Sequence, residues 1–242
     1  MNTKQQTAIK ESKMKITTSN LIRWAGLAAM VAGICYVLVG VFHPLNILSS
    51  VTTTRWAIVH ILASAMSIFG LLGLTGLYAR QAEKSGWLGL AGYLLLSLWL
   101  VVIMCFTFAE TLILPVLATG APTFVQGFLG SFTGSASELN LGALPMLWTL
   151  TGPVYISGGL LFGIATFRAR VLPRWAGILL AVGTTFAPVA ALLPPEYEPK
   201  VAVPVGLALV WLGYALWSER REQAAEPILA RASLELKEVG AA

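Results

Sequence analysis

Three side chains in this 242-residue sequence are of types that could do chemistry inside an otherwise apolar chain: His43, His60 and Glu110. The two histidines are the only ones present, and Glu110 is the one acidic residue within an apolar segment. An imidazole is the side chain whose ordinary titration falls near neutral pH. Ionisable groups in membrane segments are costly and are functional candidates by default. Together the three could hold a proton between them, recognise a polar group on a ligand, or ligate a divalent metal such as zinc or iron(II). Metal ligation has no supporting motif here, because neither a His-Glu-x-x-His spacing nor a paired-cysteine motif occurs. Bis-histidine haem ligation needs both rings at one depth on facing helices, and His43 precedes Pro44 at a helix end. No cofactor is named by these residues.

Helical arithmetic puts the three near one depth. His43 follows Trp24 by 19 residues, about 28 Å along an axis, and Glu110 follows Trp87 by 23, about 34 Å. His60 lies four residues inside Trp56, about 6 Å. Either a hydrogen-bonded His60–Glu110 pair or separate groups in the wet headgroup zone is expected, with Glu110 close to the boundary, where ionisation costs little; depth alone does not say whether the three converge. Polar and small residues recur on the same stripes: His60, Ser64, Ser67, Thr75 and Tyr78; Gly26, Gly33, Tyr36, Gly40 and His43; Trp148, Thr151 and Tyr155. Ordinary helix packing also places small and polar residues inward. The candidate ligand-binding set is therefore Glu110, His60, His43, Tyr36, Tyr155 and Trp148, with His43, His60 and Glu110 as the metal candidates and no catalytic residue assigned.

The elements that must position these residues are apolar helices. Mean hydropathy is +0.77 and only 11% of residues are charged, against about a quarter in soluble domains. Apolar runs cover about 21–42, 56–78, 87–116, 141–167, 175–193 and 201–217. About 20 residues cross a hydrocarbon layer of about 30 Å as a helix, and runs this long exclude transmembrane strands. The expectation is an all-α polytopic membrane bundle of six transmembrane helices arranged as three hairpins. Polar tails flank it at 1–20 and 218–242. The first run is longer than a signal-peptide core and lacks a small-x-small site, so it is expected to be retained.

Fourteen of the sixteen Lys and Arg residues fall in the N-terminal tail through Arg23, the 80–84 and 168–174 connections and the C-terminal tail; the other two are Arg55 and Lys200. Positive charge gathers on the cytoplasmic side, so both termini are expected there, in a bacterial plasma membrane. The same dispersal argues against nucleic acid as a partner. The bilayer is the expected partner, with a protein or a second copy beside it. Arg23-Trp24-Ala25-Gly26, Arg174-Trp175-Ala176-Gly177 and Gly86-Trp87-Leu88-Gly89 open three runs alike. Interfacial Trp and close-packing Gly account for much of this; duplication of a hairpin is the sharper alternative.

In the connection 117–140, Phe124, Phe128 and Phe132 recur every four residues. They predict a short helix, lying flat in the interface or covering the bundle mouth as a lid. Cys35 and Cys105 are expected to be unpaired apolar residues. Ser157-Gly158 lacks the glycine two residues earlier that an intramembrane serine protease needs, since Tyr155 stands there, and the last run has no histidine. With little buried charge, the expected role is a non-catalytic accessory, scaffold or partner-binding membrane protein. A small transporter or ligand-binding protein with a site near Glu110 is the first alternative, and a metal- or haem-dependent membrane enzyme using His43, His60 and Glu110 the second.

Overall fold

A computed structural model describes residues 17–218. Among them every element is helical: α1 (Thr18–Phe42), α2 (Leu48–Val51), α3 (Thr54–Phe108), a π-helical turn (Ala109–Ile113), α4 (Leu114–Gly120), α5 (Pro122–Thr133), α6 (Leu144–Ala169), α7 (Arg174–Thr184), α8 (Ala187–Ala190), a 3-10 turn (Glu198–Ala202) and α9 (203–218). Four helical stretches are long and apolar enough to cross a membrane: Asn20–Phe42, Thr54–Gly120, Leu144–Ala169 and Glu198–Ser218. Their outward positions carry residues such as Ile34, Leu72, Leu98, Leu150 and Leu207. That apolar exterior suits lipid and would be costly in water. The polar tails expected at 1–20 and 218–242 lie outside the described residues, except for 17–20 and 218, which belong to the N-cap and start of α1 and the end of α9.

The second stretch folds back on itself. Its backbone stays helical through Ser85 and turns on Gly86, at φ 55° and ψ −153°, a region closed to residues with a Cβ. The two arms of α3 then run antiparallel. Ser64 Oγ donates to Thr107 Oγ1 at 3.2 Å, Thr75 meets Tyr93 at 3.2 Å, and Tyr78 stacks on Tyr93 at 4.8 Å. A polar connection was expected over 79–86; instead the first arm extends through it.

Neighbouring elements pair antiparallel around a closed ring. Gly73 and Gly76 of the first arm abut Ala29 and Ala25 of α1. Gly92 of the second arm abuts Phe162 of α6, and Gly158 of α6 abuts Leu96. Gly163 of α6 faces Gly177 of α7, and Gly183 of α7 faces Val205 of α9. The ring closes between α9 and α1, where Gly26 and Gly33 oppose Gly213 and Gly206. A Cβ on Gly213 would stand 2.6 Å from the Gly26 carbonyl oxygen, and one on Gly206 2.7 Å from that of Gly33. Backbones approach this closely only without side chains, which is how helices associate where water supplies no driving force. Inside the ring lies a core including Tyr36, Met66, Leu96, Leu100, Tyr155, Phe162 and Leu212.

The segment 175–193 departs from an unbroken helix. Helix α7 is 11 residues long, about 16 Å. It stops at Thr184 because Pro188, four residues on, has no N–H for the Thr184 carbonyl. The hydroxyls of Thr184 and Thr185 also take the carbonyls of Ala181 (2.9 Å) and Val182 (2.7 Å). Trp24, Trp87 and Trp175 are all exposed, at 62%, 85% and 68%, forming a belt at the end of the ring that also holds Gly86 and residues 17 and 218. The opposite end holds His43, Glu110 and the start of α6.

Candidate functional site

At that opposite end His60 sits one turn into α3, and its ring is held on two sides. Its Nδ1 lies 2.8 Å from the Trp56 carbonyl oxygen and donates to it. The Trp56 indole stacks on the imidazole with centroids 4.0 Å apart. The same indole's Nε1 donates to the Glu110 backbone carbonyl at 2.8 Å. That carbonyl belongs to the π-helical turn, where the wider i→i+5 pattern disturbs the ordinary ladder, a feature concentrated at functional sites. Trp56, expected to mark the interface, is instead wholly buried.

His60 Nε2 faces Glu110 Oε1 at 3.4 Å, within ion-pair reach yet without the geometry of a hydrogen bond. The residues are 1% and 6% exposed. Since Nδ1 carries the proton given to Trp56, a neutral His60 would turn a lone pair on the carboxylate. The expectation of a water-washed Glu110 is corrected: the carboxyl is buried. Helix α5 covers this end, with Phe128 and Phe132 packed on Phe106 (5.8 and 5.9 Å) and Phe132 on Trp148 (4.4 Å). The phenylalanine stripe thus faces the bundle instead of the lipid interface.

His43 caps the end of α1 and meets His60 edge-on with centroids 5.3 Å apart. Its Nδ1 donates to the Pro44 carbonyl at 2.7 Å. Burial, and then the neighbouring His60, push its pKa down to about 4, so this imidazole is neutral at physiological pH. Arg55 fastens the helix end, donating to the Phe42 carbonyl at 2.9 Å.

These groups open into one cavity of about 200 Å³, lined by Tyr36, His43, Asn46, His60, Glu110 and Trp148 together with Trp99, Phe106 and Phe132. At its deep side Tyr36 Oη donates to Tyr155 Oη at 2.8 Å, and Trp99 packs on both rings, at 6.2 and 4.5 Å. Beneath the tyrosine pair lies a second, small apolar cavity that Tyr36, Met66 and Trp99 also line. All six candidate residues therefore converge: five line the cavity and Tyr155 fixes the fifth, Tyr36, from behind. As a metal cage they do not converge, for among the described residues no group of three His, Cys, Asp or Glu side chains is arranged to hold an ion. Cys35 and Cys105 are both free.

Asn46, Trp99, Phe106 and Thr107 are cavity residues beyond the candidate set. Trp99, Ile103, Phe106 and Glu110 follow steps of four, three and four, a helical stripe leading to the acid that could have revealed them. Asn46 had no such signal; it lies in the turn after Pro44, and its Oδ1 is buried without a partner. Comparison of the chain with protein-family models, curated proteins and solved structures finds no match. The site has to be read from its own geometry.

Proposed function

We propose that this chain is a multi-pass membrane protein that binds a small, mostly apolar molecule carrying one hydrogen-bonding group. In this reading six crossing segments form three hairpins, and both termini lie on the cytoplasmic side of a bacterial plasma membrane. The cavity then opens toward the outer side. The observation that carries it is the convergence of His43, His60, Asn46 and Glu110 on one aromatic-walled cavity. Ligand pockets are commonly apolar with a few convergent polar groups. A scaffold needs no such cavity, and closing it would strengthen packing, so the geometry favours ligand binding over the accessory role. Trp99, Phe106 and Trp148 would hold a flat apolar body, while the His60–Glu110 pair accepts a hydrogen bond from its hydroxyl or amine. Transport would follow if α5 opens and the Tyr36–Tyr155 bridge parts.

The test is a titration of the purified chain with 1-naphthol, followed through quenching of tryptophan fluorescence. Saturable quenching is expected, with the same probe binding poorly after Trp148→Ala. Linear, unsaturating quenching in the wild type, equal to that of free N-acetyltryptophanamide in the same detergent, would sink the proposal.

A further inference from the structure

The end of the ring opposite the cavity carries two adjoining hollows of contrasting character. The first, of about 400 Å³, is polar and lined by Arg80, Gln81, Glu83, Lys84 and Arg170, with Ile22 at its edge. The second, of about 390 Å³, is an apolar groove between α1 and the first arm of α3, lined by Leu21, Trp24, Ala28, Leu72 and Gly76. Ile22 and Ala79 line both, so the polar hollow passes directly into the groove. Its depth is also marked: Trp24 lies in the groove, and that tryptophan belongs to the exposed belt with Trp87 and Trp175. Such belts sit at the headgroup level.

Gln81 supplies an independent sign of a missing partner. The residue is 1% exposed, its Nε2 donates to Thr166 Oγ1 at 2.9 Å, and its Oε1 is buried without a hydrogen bond. A buried acceptor left alone is costly. Within the polar hollow it calls for a hydroxyl or ammonium donor beside an anion held by Lys84 and Arg170.

We propose that these two hollows form one binding site for an anionic phospholipid. The phosphodiester lies between Lys84 and Arg170, a headgroup hydroxyl donates to Gln81 Oε1, and an acyl chain follows the groove past Trp24 and Gly76. Charge selects this occupant, since Lys84 and Arg170 against Glu83 favour a net negative head over a zwitterionic one. Basic clusters at the membrane surface recognise anionic lipids on the same ground. The site is separate from the His60–Glu110 cavity and does not depend on its ligand.

Native mass spectrometry of the full chain in detergent tests this, with dioleoyl phosphatidylglycerol, dioleoyl phosphatidylcholine and inorganic phosphate as probes. Phosphatidylglycerol is expected to bind on the order of tenfold more tightly than phosphatidylcholine, with phosphate a poor competitor. The double variant Lys84→Gln/Arg170→Asn should abolish that preference; asparagine suits the left-handed backbone of Arg170, at φ 56°. Ala79→Trp, at an exposed position where the hollows join, should weaken binding of both lipids several-fold. Melting temperatures of the variants separate lost binding from lost folding, and the exposed Lys84 and Arg170 carry the test if Ala79→Trp does not fold. Equal binding of the two lipids, an unchanged preference in the double variant, or full competition by phosphate overturns the proposal.

Discussion

Helix α1 shows two faces built for opposite purposes. One face, Gly26 and Gly33, lies against α9 so closely that a Cβ on either would collide with backbone, while Gly40, against the turn before α9, stands between that seam and the cavity it also lines. The other presents Tyr36 and His43 to a cavity. The first face has no room and the second has room to spare, although both belong to one helix and its C-cap. The contrast teaches where rigidity comes from. Backbone-to-backbone contact fixes the helix axis, and the fixed axis holds an imidazole and a phenol in place around empty space. Without that seam the cavity would collapse, because apolar side chains relax into voids where they can.

The largest break in this contrast is expected from Gly33→Leu, which drives a side chain into the Gly206 carbonyl. Destabilisation of about 3 kcal/mol or more is expected, read as thermal stability in detergent. Gly120→Ala is the control, since nothing lies within 4 Å of a Cβ there. Next comes Trp56→Phe, which strands the Glu110 carbonyl and removes the indole N–H at 2.8 Å. A loss of about 1–3 kcal/mol is expected, and 1-naphthol affinity should fall with it, because the π-helical turn aims the carboxyl.

Acidification acts on the open face alone. His43 has a folded pKa of about 4 against an ordinary value near 6.5. Below pH 6.5 the unfolded chain takes up a proton that the folded chain refuses until about pH 4, so stability falls across that window as pH drops. At pH 5 the loss is at most about 2 kcal/mol, and His43→Gln should flatten the pH profile of the melting temperature. A profile unchanged by the substitution would show that His43 is not held neutral. The smallest effect is expected from Tyr36→Phe, about 1 kcal/mol, with Tyr155→Phe adding little to it because both remove one hydrogen bond.

Much of this was legible in the sequence. The long apolar runs give helices because membrane-embedded backbone must satisfy itself. The seven-residue steps from Gly26 to Gly40 mark a contact face, and helical arithmetic sets His43, His60 and Glu110 at similar depths, although depth alone does not make them neighbours. What escaped depends on chain geometry that hydropathy does not carry. The burial of Glu110 comes from α5 folding over the end, and Phe124, Phe128 and Phe132 fit an interfacial helix and a cover equally well. The break at Thr184 turns on one proline and two hydroxyls within a run that still reads as a span. Gln81 looks like an ordinary polar residue beyond a helix end until Thr166 takes its amide and leaves its carbonyl alone.

On the proposed reading, the His60–Glu110 pair recognises a polar group on an otherwise apolar ligand. It is tested most directly by comparing 1-naphthol with naphthalene, which lacks only the hydroxyl, in the wild type and in Glu110→Gln. A preference for 1-naphthol on the order of tenfold, about 1.4 kcal/mol, is expected, falling toward unity in the variant while naphthalene affinity stays the same. Equal affinity for both probes in the wild type, or a preference that survives Glu110→Gln intact, would contradict it.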